Sequence, residues 1–117
     1  MLLRGSGEHT GDGYDLAAMV AGDGAGGGVA AGAALTAYAD RFFDEGRAGF
    51  AAARDRLREE IGGEALVDAA GVLAIFNAVV RIADATGIPL EERKAAMSAD
   101  FRGALGINDY PAAAGKV

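Results

Sequence analysis

The chain has 117 residues, contains no cysteine and carries a formal net charge of −6 at neutral pH. The absence of cysteine excludes disulfides, thiolate metal sites and every mechanism that uses a thiol. With 11 basic against 17 acidic residues, and no cluster of basic ones, the chain lacks the positive surface typical of nucleic-acid-binding proteins.

The length predicts a single domain over residues 14 to 117, preceded by an arm over residues 1 to 13. The arm contains four glycines and no apolar period, so we expect it to be flexible. Its apolar start is too short for a signal-peptide core, and no run of 18 uninterrupted apolar residues could form a membrane span. We therefore expect a cytoplasmic protein with no membrane association.

The first helical pattern is short and ends at Gly22 and Gly24. The apolar residues that share its face are Leu16, Met19 and Val20. A glycine-rich loop over residues 22 to 32 is expected to follow.

Two amphipathic helices come next. The first ends at Gly46 and the second at Gly62 and Gly63, because glycine readily adopts the left-handed conformation that terminates helices. The residues expected to face the core are Leu35, Tyr38, Ala39 and Phe42 in the first helix, and Phe50, Ala53, Leu57 and Ile61 in the second.

The following helix, residues 64 to 86, is apolar around most of its circumference. Such a helix lies at the centre of a fold or is shared between subunits. Gly87 and Pro89 end it. A last helix is expected to carry on its inner face Met97, Phe101 and Leu105. Because no alternating apolar pattern suggests a strand, the sequence predicts an all-α fold of about five helices.

Two features suggest sites but have simpler interpretations. The sequence "GDGAGG", residues 22 to 27, matches the GxGxxG of dinucleotide-binding loops, yet that motif needs a parallel sheet for which no second strand is visible. We favour a flexible loop. His9, the single histidine, lies in the glycine-rich arm, where nothing fixes its tautomer, so we expect it to be solvated and without a catalytic role.

Adjacent acidic residues occur three times along the predicted helices. Neighbouring side chains on a helix diverge by about 100°, so such pairs form neither catalytic dyads nor metal clusters by themselves. We expect solvated faces, with no metal and no cofactor. The pairs are Asp44/Glu45, Glu59/Glu60 and Glu91/Glu92.

Asn77, Arg81 and Asp84 form the most unusual polar pattern. Their spacing of i, i+4 and i+7 places them within about 60° of one another on the helix expected to be most buried. A buried ion pair of Arg81 with Asp84 would be costly unless fully hydrogen-bonded. The row is either a registry device between helices or subunits, which we favour, or the polar wall of a pocket with these three as candidate catalytic residues.

The segment "ALVDAAGVLAIFNAVVRIADATGIPLEE", residues 65 to 92, resembles the C-terminal part of alkylhydroperoxidase D-like proteins of the carboxymuconolactone decarboxylase family. The shared elements are a long helix with an acidic residue near its start, then Phe-Asn, Arg, Ala-Asp and Gly-x-Pro. "ALTAYADRFFDEG" and "LGINDYPAA" are similar to that family's preceding helix and tail, so the resemblance covers roughly residues 30 to 114. It implies an all-α fold that assembles into trimers, hexamers or related rings.

The departures from that family bear on function. Its redox members carry a CxxC pair, a nearby histidine and a proton-relay glutamate on an upstream helix, whereas this chain has no cysteine and a glycine-rich N-terminal part. The resemblance therefore carries over no peroxidase residue. Phe76, Asn77 and Arg81 match the family pattern, but Val80 replaces a second Asn.

Two functions remain open from the sequence. The favoured one is a cysteine-less, non-redox member of this fold that assembles with itself, or with a second chain supplying a missing half-domain. The alternative is a cofactor-free enzyme of the lactone decarboxylase type, which would use Arg81, Asp84 or a carboxylate from a neighbouring subunit. Dithiol peroxidase activity is excluded.

Overall fold

Helices make up the regular structure of the described chain. The computed structural model describes residues 2 to 21 and 25 to 115, and these residues contain no strand. Its α-helices are α1 (Leu2–Thr10), α2 (Leu16–Val20), α3 (Gly32–Phe43), α4 (Phe50–Thr86) and α5 (Glu92–Ala104). Short 3-10 helices occur at Gly26–Gly28, Ile107–Asp109 and Pro111–Ala113. The prediction of an all-α fold with about five helices is confirmed.

Helix α1 lies within the N-terminal arm, residues 1 to 13, for which the sequence analysis named no helix. Glycine lowers helix propensity, but local hydrogen bonds close this short helix. The Gly11 N–H donates to the Gly7 carbonyl at 2.8 Å, and the Thr10 hydroxyl donates to the Ser6 carbonyl at 3.0 Å. The flexibility of the arm stays a prediction.

Helix α2 begins at a side-chain cap. The Asp15 Oδ1 accepts a hydrogen bond from the Ala18 N–H at 3.0 Å, which satisfies one of the free donors of the first turn. The short helix predicted here is confirmed. Gly22 and Gly24, which were expected to end it, lie outside the described residues, as does half of the "GDGAGG" pattern.

The described part of the predicted glycine-rich loop is a compact turn. A Cβ on Gly27 would overlap the Met19 side chain and lie 2.6 Å from the Asp15 carbonyl oxygen. Gly26 and Gly32 approach each other so closely that a Cβ on either would overlap backbone atoms. Glycine is required at these positions because the chain before α3 packs against α2 and α3 themselves.

The described chain divides into two compact units, residues 2 to 76 and residues 77 to 115. In the first unit, the predicted inner faces of α3 and of the first part of α4 meet in a small core. Ala34, Tyr38 and Leu57 are buried there. The partly buried residues packed against them are Leu35, Phe42, Phe50, Ile61, Leu66, Ala69 and Leu73. The single-domain assignment stays a prediction.

Aromatic rings fix the start of α4 against α3. Tyr38 and Phe50 stack with centroids 5.5 Å apart, and Phe42 meets both rings edge-on at 6.0 and 6.3 Å. The Arg47 guanidinium lies 4.5 Å from the centroid of Phe50. Each such ring contact adds about 0.5–1.5 kcal/mol beyond simple burial.

Helix α4 contains one break, at Gly62. Its φ of 85° and ψ of 170° fall in a region open essentially to glycine alone. The predicted glycine boundary between two helices is therefore present as a kink within one long helix. The conformation is not the left-handed helical one that was expected.

The end of α4 is a glycine-terminated turn. Gly87 has a φ of 65°, the Ile88 N–H donates to the Ala83 carbonyl at 3.2 Å, and the Gly87 N–H donates to Asp84 at 3.4 Å. This pair of bonds is the Schellman arrangement. The predicted stop at Gly87 is confirmed.

The second unit contains α5, whose inner face differs from the prediction. Phe101 and Leu105 are half-buried as expected, but Met97 is 54% exposed, so its inward assignment is wrong. Ser98 takes the buried position instead, at 4% exposure. Its small side chain leaves room for Arg102.

Arg102 ties α5 to the segment that follows it. Its guanidinium donates to the Ser98 Oγ at 2.9 Å, the Ala95 carbonyl at 2.8 Å and the Asn108 Oδ1 at 2.8 Å. These bonds hold the turn that leads to the 3-10 helix Ile107–Asp109.

Candidate functional site: the second half of helix α4

The predicted polar row lies on the surface of the chain. Asn77, Arg81 and Asp84 are all exposed on the last turns of α4, in the unit of residues 77 to 115. In the single chain the row is therefore not buried between helices, and its burial between subunits stays a prediction. The physical reason is that the helix segment carrying the row is itself largely uncovered, so the desolvation cost of a buried ion pair does not arise.

Two pockets of the described chain are lined by residues outside the polar row. An apolar pocket is lined by Val29 and by residues of α2, α3 and α4 that precede Phe76, and a shallow polar one by Asp55, Arg58 and Glu59. His9, in α1, is exposed. Neither of these two pockets is lined by Asn77, Arg81 or Asp84.

The acidic pairs are distributed over separate surface contacts. Asp44 accepts from Arg41 at 3.2 Å, Glu60 pairs with Arg56 at 3.2 Å, and Glu91 with Lys94 at 3.1 Å. Exposed ion pairs of this kind contribute at most about 1 kcal/mol each. Within the described residues, no group of three or more acidic or histidine side chains is placed to hold a metal ion.

The main feature of α4 is the exposure of its apolar side chains. The apolar pattern of this helix suggested that most of its sides would be covered. In the single chain, Leu66, Ala69 and Leu73 pack against the core, but the other sides of the helix are largely uncovered. Among the described residues of α4, seven large apolar side chains expose more than half of their surface. They are Val67, Val72, Ile75, Phe76, Val79, Val80 and Ile82.

Four of these side chains have a regular spacing along α4. Val72, Ile75, Val79 and Ile82 follow one another in steps of three, four and three residues, which is the spacing of the a and d positions of a coiled coil. We call these four residues the α4 stripe. At 100° per residue, the polar row of Asn77, Arg81 and Asp84 falls on the opposite side of an ideal helix.

Small residues flank the α4 stripe. Gly71, Ala78 and Ala85 recur at intervals of seven, each one position before Val72, Val79 or Thr86. Small side chains beside an apolar seam let a second helix approach closely, because the distance between packed helices depends on the side chains at the contact. Both patterns are present in the sequence. The other apolar residues of this helix make them difficult to recognise from the sequence alone.

By length and composition, α4 is also apolar enough to cross a membrane. Its uncharged stretch, residues 69 to 80, is bounded by Asp68 and Arg81. Twelve helical residues span about 18 Å, whereas the hydrocarbon layer is about 30 Å thick. A crossing would therefore place charged side chains in lipid.

The comparisons with known proteins find no relative of this chain. No family model matches the chain, and neither the curated proteins nor the solved structures contain a significant match to it.

Proposed function

We propose that this chain is a cysteine-less, non-redox helical protein that assembles with copies of itself through the α4 stripe. The observation that carries the proposal is the exposure of seven large apolar side chains along one helix. Contiguous apolar surface of this kind marks an interaction site in soluble proteins. Full burial of an exposed side chain of this size is worth about 1.5–3 kcal/mol, and these side chains, which are already partly covered, would contribute a part of that each.

A second copy of the same chain is the partner that fits the α4 stripe best. A helix with heptad spacing packs well against another helix with the same spacing, and a second copy of this chain carries that spacing. One heptad position of the stripe is occupied by Val72 and Val79, and the other by Ile75 and Ile82. β-branched residues at both positions favour more than two helices around a parallel seam. The resemblance to ring-forming alkylhydroperoxidase D-like proteins also supports assembly of more than two copies.

This assembly changes the interpretation of the polar row. With the α4 stripe at the interface, Asn77, Arg81 and Asp84 face away from it and stay in water, so they are not the registry device of that interface. Their polarity then keeps the outer side of an otherwise apolar helix soluble. A lactone decarboxylase-type enzyme remains the weaker proposal, because a second subunit would have to enclose Arg81 and Asp84.

A membrane is a weaker partner for α4 than a second copy. Residues 69 to 80 are too short to cross the hydrocarbon layer without Asp68 or Arg81 entering it. In a helical assembly, Arg81 lies on the side of α4 opposite the stripe and remains in water. Asp68, seven residues before Ile75, lies at the end of the α4 stripe rather than inside it.

A matched pair of substitutions tests the proposal. Val79→Asp places a charge in the α4 stripe, whereas Val80→Asp places the same charge on the next residue, outside the stripe. The two valines are 57% and 53% exposed in the single chain, so neither substitution should unfold it. We expect Val79→Asp to weaken assembly at least about 100-fold, since a buried unpaired charge costs several kcal/mol.

Sedimentation equilibrium measures both variants over a range of concentrations. The proposal expects Val80→Asp to assemble within about tenfold of the unchanged protein, a difference of about 1.4 kcal/mol. Equal loss of assembly in both variants would mean that the whole helix surface is covered, as in lipid. Assembly that survives Val79→Asp would contradict the α4 stripe as the interface.

A further inference from the structure

We propose that the apolar pocket in the unit of residues 2 to 76 binds a flat, uncharged aromatic small molecule. The pocket has a volume of about 390 Å³, which is within the range of small-molecule sites. Its walls come from α2, α3, α4 and the residue after the glycine turn. The lining residues that define its chemistry are Met19, Val29, Leu35, Thr36, Tyr38 and Leu73.

The lining determines the class of ligand. Among the described residues that line the pocket none is charged, so a charged ligand would lose its hydration without gaining a partner there. The pocket wall includes the aromatic residue Tyr38 and the thioether-bearing residue Met19. Both types of side chain make favourable contacts with aromatic rings. Thr36 and Tyr38 are the two lining residues with hydroxyl groups. The ligand therefore has an aromatic body and few polar atoms.

The pocket is held open by packing on its far side. Tyr38 is 4% exposed and stacks on Phe50 at 5.5 Å, so its ring is not free to swing into the space. The contact of Gly26 with Gly32 fixes the start of α3, from which Leu35 and Thr36 project. A pocket formed in advance costs a ligand less ordering than one that must be opened.

Val72 lines the pocket and also belongs to the α4 stripe. A ligand in the pocket and a second copy on the stripe would therefore be neighbours. The inference does not rest on assembly, because the described residues that line the pocket all belong to one chain. An experiment must still separate binding in the pocket from adsorption of an apolar probe on the stripe.

The methionines provide a direct measurement on the unchanged protein. The chain contains three methionines, Met1, Met19 and Met97, of which Met19 lines the pocket while Met97 is exposed on α5. The protein is labelled with ¹³C at the methionine methyl groups and titrated with N-phenyl-1-naphthylamine, an uncharged aromatic probe. We expect a saturable shift of the Met19 methyl signal, with the Met97 signal unmoved.

A pocket-filling variant tests the same site through affinity. Ala39→Phe inserts a ring into the lining, whereas Ala52→Phe adds the same ring at an exposed position of α4 outside the pocket. The rise in probe fluorescence on binding gives the affinity. We expect at least a tenfold loss for Ala39→Phe and a change of less than twofold for Ala52→Phe. The methyl measurement decides the inference if Ala39→Phe does not fold.

A stripe variant separates the two surfaces. Val79→Asp changes the α4 stripe but not the pocket lining, so probe affinity should stay within twofold even where assembly is lost. Loss of probe binding in Val79→Asp would show that the probe sits on the assembly surface and would overturn the inference. Equal shifts of the Met19 and Met97 signals, or undiminished affinity in Ala39→Phe, would overturn it as well.

Discussion

Single residues in this chain carry geometric constraints that composition alone does not reveal. The 19 glycines suggest looseness, yet Gly26, Gly27 and Gly32 lie where a Cβ would overlap neighbouring atoms. The glycine pattern predicted a break between helices. It could not distinguish an open loop from a packed turn, because the distinction depends on contacts with α2 and with the start of α3.

The packed turn predicts a large effect at Gly27. Gly27→Ala should lower the free energy of unfolding by at least about 2 kcal/mol, because the methyl group overlaps Met19 and the φ of 59° is unfavourable for alanine. Gly63→Ala is the control: it lies in α4 with open space around its Cβ position and should stabilise by about 0.5–1 kcal/mol. Urea unfolding measures both. Similar values for the two variants would contradict the packed turn.

Arg102 gives a second prediction at this scale. Arg102→Ala should destabilise the unit of residues 77 to 115 by about 1–2 kcal/mol, because three acceptors lose a charged donor. Arg102→Lys should not restore stability, since one ammonium group cannot match the geometry of the guanidinium. Thermal unfolding followed by circular dichroism checks both. Full rescue by lysine would mean that charge alone matters.

Helix α4 shows what a sequence pattern does and does not determine. Its end at Gly87 and its glycine break at Gly62 follow from backbone preferences and were predicted. The packed side, Leu66, Ala69 and Leu73, and the uncovered side have the same apolar character. Periodicity identifies apolar faces but not what covers them, so the exposure of Asn77, Arg81 and Asp84 could not be predicted.

The two parts of α4 should respond differently to dilution. The part before Gly62 is held by Leu57 and the aromatic cluster within the chain, whereas residues 77 to 86 have mostly exposed side chains. A helix without packing frays, so backbone amides of residues 77 to 86 should exchange at least tenfold faster at nanomolar than at high micromolar concentration.

Hydrogen exchange followed by mass spectrometry checks this difference. Peptides covering residues 50 to 61 serve as the internal control, because their protection should not depend on concentration. Concentration-independent protection of residues 77 to 86 would mean that this part of α4 is stable without a partner.

At the scale of the whole molecule, the described chain buries few large apolar side chains. Ala34, Tyr38 and Leu57 form the buried hydrophobic core among the described residues, whereas α4 alone exposes seven large apolar ones. The sequence predicted an all-α fold of about five helices and placed Tyr38 and Leu57 on inner faces, because these depend on local patterns, but it did not predict α1. The apolar helix also suggested an oligomer, and we propose the α4 stripe as its interface.

The native mass of the purified protein tests the central claim most directly. Native mass spectrometry or light scattering at tens of micromolar should show a multiple of the 11.7 kDa chain mass, with mass falling on dilution. A fixed ratio with a second, different chain would mean that α4 is completed by another protein. A monomer of 11.7 kDa at that concentration, in water and without lipid, would contradict self-assembly through α4.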